Sequence, residues 1–176
     1  MIVSNDKKVC LTQIEKKDLS FIQSWRNNQD FQRYFREYRL FSLTQKEKWH
    51  NSIIDDNRFE MFMIRNNRDY EPLGVAGLTY IDWVNRHADV HFYIGKSNSW
   101  IDEEYSSSAI DTVLKHAFHI FNLNKVWTEV YEIDNKKIDF FKFRGFKIDA
   151  THREHYFYGG KYHTSYILSL LRSEYE

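Results

Sequence analysis

The chain has 176 residues, 42% hydrophobic and 18% aromatic, which suits one domain with a sizeable core and leaves too little for two. Its 25 Lys and Arg balance 25 Asp and Glu, so there is no net basic field to hold nucleic acid or an anionic membrane. A lone cysteine, Cys10, excludes an internal disulfide; the opening residues lack the apolar run of a secretory signal, and no apolar stretch reaches the roughly 18 residues of a membrane span.

A single cytoplasmic domain over residues 1–176 is therefore expected, and one proline and six glycines leave no room for a flexible linker. Val9–Ile14 alternates as a strand, and Leu19, Ile22 and Trp25 recur at helical spacing within 16–28. Residues 30–41, dense in aromatics and arginines without clean periodicity, read as a bent, partly helical flap. Ser42 and Gln45 form a capping-box pattern ahead of a helix over 43–54. Phe59–Arg65, Leu73–Trp83 and Ala88–Gly95 form an antiparallel meander, with the polar stretch 66–70 turning the chain. Ala109, Ile110, Val113, Leu114, Ala117, Phe118 and Phe121 mark one face of a helix over about 105–122. A strand over 123–131 and a helix over 135–145 closed by Gly145 follow. A terminal hairpin turns at Gly159-Gly160. The order is a mixed, mostly antiparallel sheet flanked by helices, an α+β or α/β three-layer domain.

That order resembles the GNAT superfamily of acyl-CoA-dependent N-acetyltransferases over nearly the whole chain. The residues that carry the likeness are SWRNN at 24–28, the block 73–90, DN and FRGF within 134–146, and the terminal stretch from Gly159. They are most similar to the branch of the ribosomal-protein N-terminal acetyltransferases. The resemblance implies a central sheet that splays to admit acetyl-CoA as co-substrate, with the pantetheine arm alongside the backbone of His91, Phe92, Tyr93 and Ile94. The family's diphosphate loop, Q/R-x-x-G-x-G/A, falls on 101–106. There Ile101, Glu104 and Ser106 replace its marker residues, and Asp102, Glu103 and Glu104 bring three carboxylates to where phosphates dock. The amides of Ser106, Ser107 and Ser108 are the remaining candidate donors, with Lys136, Lys137, Lys142 or Arg144 near the nucleotide.

Strand alternation places Trp127, Glu129 and Tyr131 on one face. Glu129 matches the family's glutamate base, and aromatic surroundings are expected to favour its neutral form; pairing with a lysine at the sheet edge is the structural alternative. The tyrosine that protonates the departing thiolate in the family is replaced by Phe141, so Tyr105, Tyr131 or a water is left for that role. Asn135 or Asp134 takes the place of the CoA-contacting asparagine. Trp25, Arg26, Tyr34, Tyr80, Asp82, Trp83 and Tyr158 are candidate walls of an acceptor pocket. The acceptor is a small-molecule or peptide amine: a protein N-terminus, a polyamine or an amino sugar. The alternative is a GNAT-fold binding or assembly module that has lost turnover. A homodimer through the last hairpin is compatible with the family. The pairs His116/His119 and His152/His155 lack companions for tetrahedral ligation, so no metal is expected. Ser106–Ser108 with His116 and Asp111 lack the strained elbow of a nucleophilic serine.

Overall fold

The architecture follows from which strand edges are held and by what. The structure, a computed structural model, describes residues 1–175. In chain order its elements are β1 (Ile2–Val3), β2 (Val9–Gln13), α1 (Leu19–Arg26), α2 (Gln29–Gln32), α3 (Leu43–Ile54), β3 (Glu60–Asn66), β4 (Pro72–Asp82), β5 (His87–Ile94), α4 (Ser106–Lys115), β6 (Lys125–Tyr131), α5 (Asn135–Phe143), β7 (Lys147–Tyr158), β8 (Lys161–Leu171) and α6 (Arg172–Tyr175).

The strands form one sheet in the order β1-β2-β3-β4-β5-β6-β8-β7. Every neighbouring pair is antiparallel except β5 and β6. That parallel pair touches only where His87–Asp89 meet Lys125–Trp127. Beyond it β5 stays zipped to β4 as far as Ile94, while β6 stays zipped to β8 through Tyr131. Each strand is held by its outer partner, so the two part and the sheet opens in a V.

Both faces of the central strands are covered, so β3 and β4 are buried in continuous runs rather than at alternate residues. On one face of β5, Phe92 packs against Phe140 and Phe141 of α5. On the other, Tyr93 meets Trp25 of α1 and Phe35 of the segment after α2. A Cβ on Gly95 would enter the Trp25 indole, so the end of β5 sits flush on α1. The capping box at Ser42 and Gln45 starts α3 as its pattern predicts. The helix expected over 105–122 is α-helical for Ser106–Lys115 and continues as a π-helical turn over His116–Ile120. The helix expected over 16–28 begins as a 3₁₀ turn at Lys16–Asp18, with Glu15 and Asp18 bonding reciprocally. Among the described residues no helix is long and apolar enough to cross a membrane.

Candidate active site

The V between β5 and β6 opens onto a cavity of about 360 Å³ walled by α1, α3 and the segment 34–41. The inward-facing residues of β5 are Asp89, His91 and Tyr93, and β6 contributes Glu129 and Tyr131. Arg26, Tyr34 and Tyr80 also line it. Trp25, Asp82, Trp83 and Tyr158 do not. Trp25 is core beneath Gly95. Asp82 accepts hydrogen bonds from the amides of Val84 and Asn85 and so closes the turn into β5. The Trp83 indole donates to the Asn57 carbonyl at 3.0 Å and packs on Phe121. Tyr158 lies on the outer hairpin beside Tyr156.

At the fork of the V, Arg36 bridges two carboxylates. Its Nε donates to Glu129 at 2.9 Å and its Nη1 to Asp89 at 3.2 Å. Glu129 is thus not a carboxylate wedged between aromatics: its other oxygen accepts from the Ser165 hydroxyl at 2.7 Å, and His155 lies 3.6 Å away. Asp89 is the one left under-served. It is buried, Oδ2 takes Arg36 and a long 3.4 Å bond from Thr79, and Oδ1 receives no hydrogen bond among the described residues. Burial outweighs the attraction of Arg36 and pushes its pKa up to about 6. Burial also raises the Tyr131 phenol above its usual range, with the Glu129 charge adding to it. The His91 ring is held well below its usual range by burial, with Lys137 and Arg26 adding to it, so it is neutral.

The crevice expected to receive the pantetheine arm is closed by the chain itself. Gly95 N donates to Leu73 O across β4, so by the two-residue alternation of an antiparallel ladder the amides of Phe92 and Ile94 face the opening. Ile94 exchanges both of its backbone bonds with Trp100 at 2.9 Å. The carbonyl of Phe92 accepts from Lys137 Nζ at 3.0 Å. Lys137 is therefore buried inside the V rather than placed beside a nucleotide, and burial, partly offset by Asp134 and Asp89, takes its pKa down to about 8. The Trp100 indole stacks between Tyr34 and Tyr93 and donates Nε1 to Asp134 at 2.8 Å. Asp134 is buried, whereas Asn135 is exposed at the helix start. Ser97, Asn98 and Trp100 all have positive φ, between 53° and 61°. For non-glycine residues that backbone is strained by roughly 1–2 kcal/mol each.

The diphosphate loop is also taken. One oxygen of Asp102, Oδ1, accepts from the amides of Tyr105 and Ser106, each at 2.8 Å, and from the Ser106 hydroxyl at 3.1 Å. The carboxylate thus sits where a phosphate oxygen meets the start of this helix in the family pattern. Ser106 is buried with its amide committed, and Ser108 is tied through its hydroxyl to Asp6; Ser107, partly buried, is the remaining member of that trio. Phe141 is fully buried among Phe92, Phe140 and Phe146. Arg144 pairs with Asp111 at 3.2 Å and lies over Phe140. In this closed arrangement the backbone of Ile94 and the carbonyl of Phe92 are engaged by Trp100 and Lys137, the groups along which a pantetheine arm would lie.

Arg36, Lys46, Asp89 and Trp100 are the residues that sequence reading missed. Asp89 did carry a signal, because alternation puts it on the same strand face as His91 and Tyr93. Lys46 precedes Trp49 and His50 by three and four residues and so shares the inward stripe of α3. Arg36 and Trp100 lie in segments without periodicity and gave none. Among the described residues no cluster of three or more His, Cys, Asp or Glu is arranged to hold a metal.

A family model described as an acetyltransferase (GNAT) domain matches residues 8–147. A spermidine N(1)-acetyltransferase of Vibrio cholerae serotype O1 is 24% identical over 97% of this chain and 96% of its own length. The crystal structure of spermidine N-acetyltransferase from Vibrio cholerae with CoA and spermine superposes with a TM-score of 0.88, at 25% identity, over 96% of this chain and 98% of that one. A dodecameric structure of the Vibrio cholerae enzyme superposes with a TM-score of 0.82, at 23% identity, over 96% of each chain. These relatives do not support the ribosomal-protein branch that the sequence motifs resemble.

Proposed function

The chain belongs to the GNAT acetyltransferase family, and on that premise we propose that it acetylates a primary amine seated in the cavity, with Asp89 as the base. As an acyl-CoA-dependent N-acetyltransferase it takes acetyl-CoA as co-substrate. Loss of turnover is not favoured by the family or by its relatives.

An amine attacks an acetyl thioester only as the free base, so the site must remove a proton from an ammonium. Asp89 suits that task. Its pKa near 6 makes it mostly ionised yet more basic than an ordinary aspartate, and its Oδ1 has no bond to surrender. Glu129, with both oxygens engaged by Arg36 and Ser165, orients Arg36 and adds negative charge that draws the ammonium to the fork. Tyr131, whose burial keeps its phenol protonated, faces the same cavity and is the candidate donor to the leaving thiolate. The observation that carries this reading is the Asp89–Arg36–Glu129 cluster at the point where β5 and β6 part.

The fork is where the acceptor's ammonium belongs, whatever the charge at the acceptor's far end. We extend the dodecameric assembly of the Vibrio cholerae enzyme to this chain, whose outer strand β7 is almost wholly exposed. The test is thiol release from acetyl-CoA with primary amines, beside calorimetric titration with acetyl-CoA. Amine-dependent thiol release above the protein-free rate supports the assignment; no saturable binding at millimolar acetyl-CoA overturns it.

A further inference from the structure

Arg26 and Lys46 both line the cavity, and among the described residues neither forms an ion pair. We infer that the acceptor amine carries an oxyanion, a carboxylate or a phosphate, that docks between Arg26 and Lys46. This rests on the reading of the cavity as an acetyl-acceptor site.

Lys46 is 5% exposed, yet its ammonium makes no ion pair and no hydrogen bond among the described residues. It lies 3.8 Å from the centroid of Phe41 and 5.4 Å from that of Trp49. Arg26 lies 5.5 Å from the same Phe41 ring and 3.4 Å from Phe35. Its one hydrogen bond among the described residues is a long 3.4 Å contact to the Glu37 carbonyl. Two cations thus share one aromatic platform. Glu37, the carboxylate that attracts both, is itself bonded to Arg39 at 2.9 and 2.5 Å. Burial, with Arg26 pressing the same way, takes the Lys46 pKa down to about 8. Buried cations are ordinarily paired, so this arrangement is one that a bound anion would complete.

The third observation is neutral. The hydroxyl of Tyr93, which lines the same cavity, is buried and has no hydrogen-bond partner among the described residues. It adds a donor near Arg26. The platform itself is fixed: Asn27 accepts from the Phe41 amide at 2.8 Å, and Asn27 and Gln23 both donate to its carbonyl at 2.9 Å. A guanidinium, an ammonium and a phenol, all donors, form a preorganised oxyanion site. A polyamine that places one ammonium at Asp89 would bring its next toward these cations, where like charge opposes it.

A series of butylamines differing only at the far end separates the cases: 1,4-diaminobutane, 4-aminobutanol, 4-aminobutyrate and 4-aminobutyl phosphate, at fixed acetyl-CoA. At least one anionic member is expected to exceed 4-aminobutanol tenfold or more in kcat/KM, with diaminobutane below it; the better of the two anions identifies the oxyanion. Lys46→Met is expected to lower the anionic-to-neutral ratio about tenfold. Diaminobutane as the fastest substrate, or all four within threefold, overturns the inference while leaving acetyl transfer intact. If none is acetylated, butyl phosphate and butyrate are titrated against tryptophan fluorescence, since Trp49 adjoins Lys46. Saturable quenching that weakens tenfold in Lys46→Met keeps the oxyanion site and shows that these four amines are not the acceptor. No quenching by either overturns the site.

Discussion

Replacing Asp89 by Asn keeps the shape of the side chain and removes the charge that the fork concentrates. Asp89 rises from an ordinary 3.8 to about 6 on folding, and about two pKa units correspond to about 3 kcal/mol. The folded state holds this proton more tightly than the unfolded one. The group therefore lowers stability as pH rises from about 4 to about 6, and the full penalty is present above that window. Chemical denaturation at pH 4 and pH 7 should show the wild type losing up to about 3 kcal/mol more than Asp89→Asn across that interval. For a base the ionised form is the active one. The kcat/KM of the wild type should climb through pH 6 and level off, whereas Asp89→Asn should lack that limb and fall about 10²- to 10⁴-fold. A variant that keeps the acidic limb near pH 6, with activity within threefold of wild type, would refute the assignment of Asp89 and return the role to Glu129.

Other consequences follow from the closed crevice and the buried lysine. Asp102→Ala vacates the amides of Tyr105 and Ser106; it should tighten acetyl-CoA severalfold by calorimetry at a loss of about 1 kcal/mol from the helix start. An unchanged affinity would mean that the carboxylate does not compete with the diphosphate. Trp100→Phe removes the Nε1 donor from buried Asp134, which should cost about 1–3 kcal/mol in urea unfolding and loosen the plug, seen as a lower acetyl-CoA Kd. Lys46 has a folded pKa near 8 against 10.5 unfolded. Its burial penalty is thus present below pH 8 and relieved as pH rises toward 10.5. Lys46→Met should be more stable than the wild type by up to about 3 kcal/mol at pH 7, with the gap closing by pH 10.5; equal stabilities at pH 7 would contradict the uncompensated charge.

The sequence by itself determined most of the elements and their order, the two-residue β1 and the four-residue α6 being the ones not read. The stripe from Ala109 to Phe121, the Ser42–Gln45 box and the Gly159-Gly160 turn are each written in a short stretch of chain, because backbone hydrogen bonding and burial of one face are short-range demands. Strand alternation likewise placed Glu129 and Tyr131 on one face of β6, and both line the cavity. The tertiary structure alone decided what those side chains meet. Glu129 finds its partner 93 residues away in Arg36, in a flap whose crowded aromatics have no period to read. Trp100 folds back onto Ile94 rather than leading straight into α4, and the carboxylate of Asp102 turns into its own helix start. A charge in the chain is only a type and a position; whether it is paired, buried or left facing a cavity depends on distant segments converging, and no local pattern records that convergence.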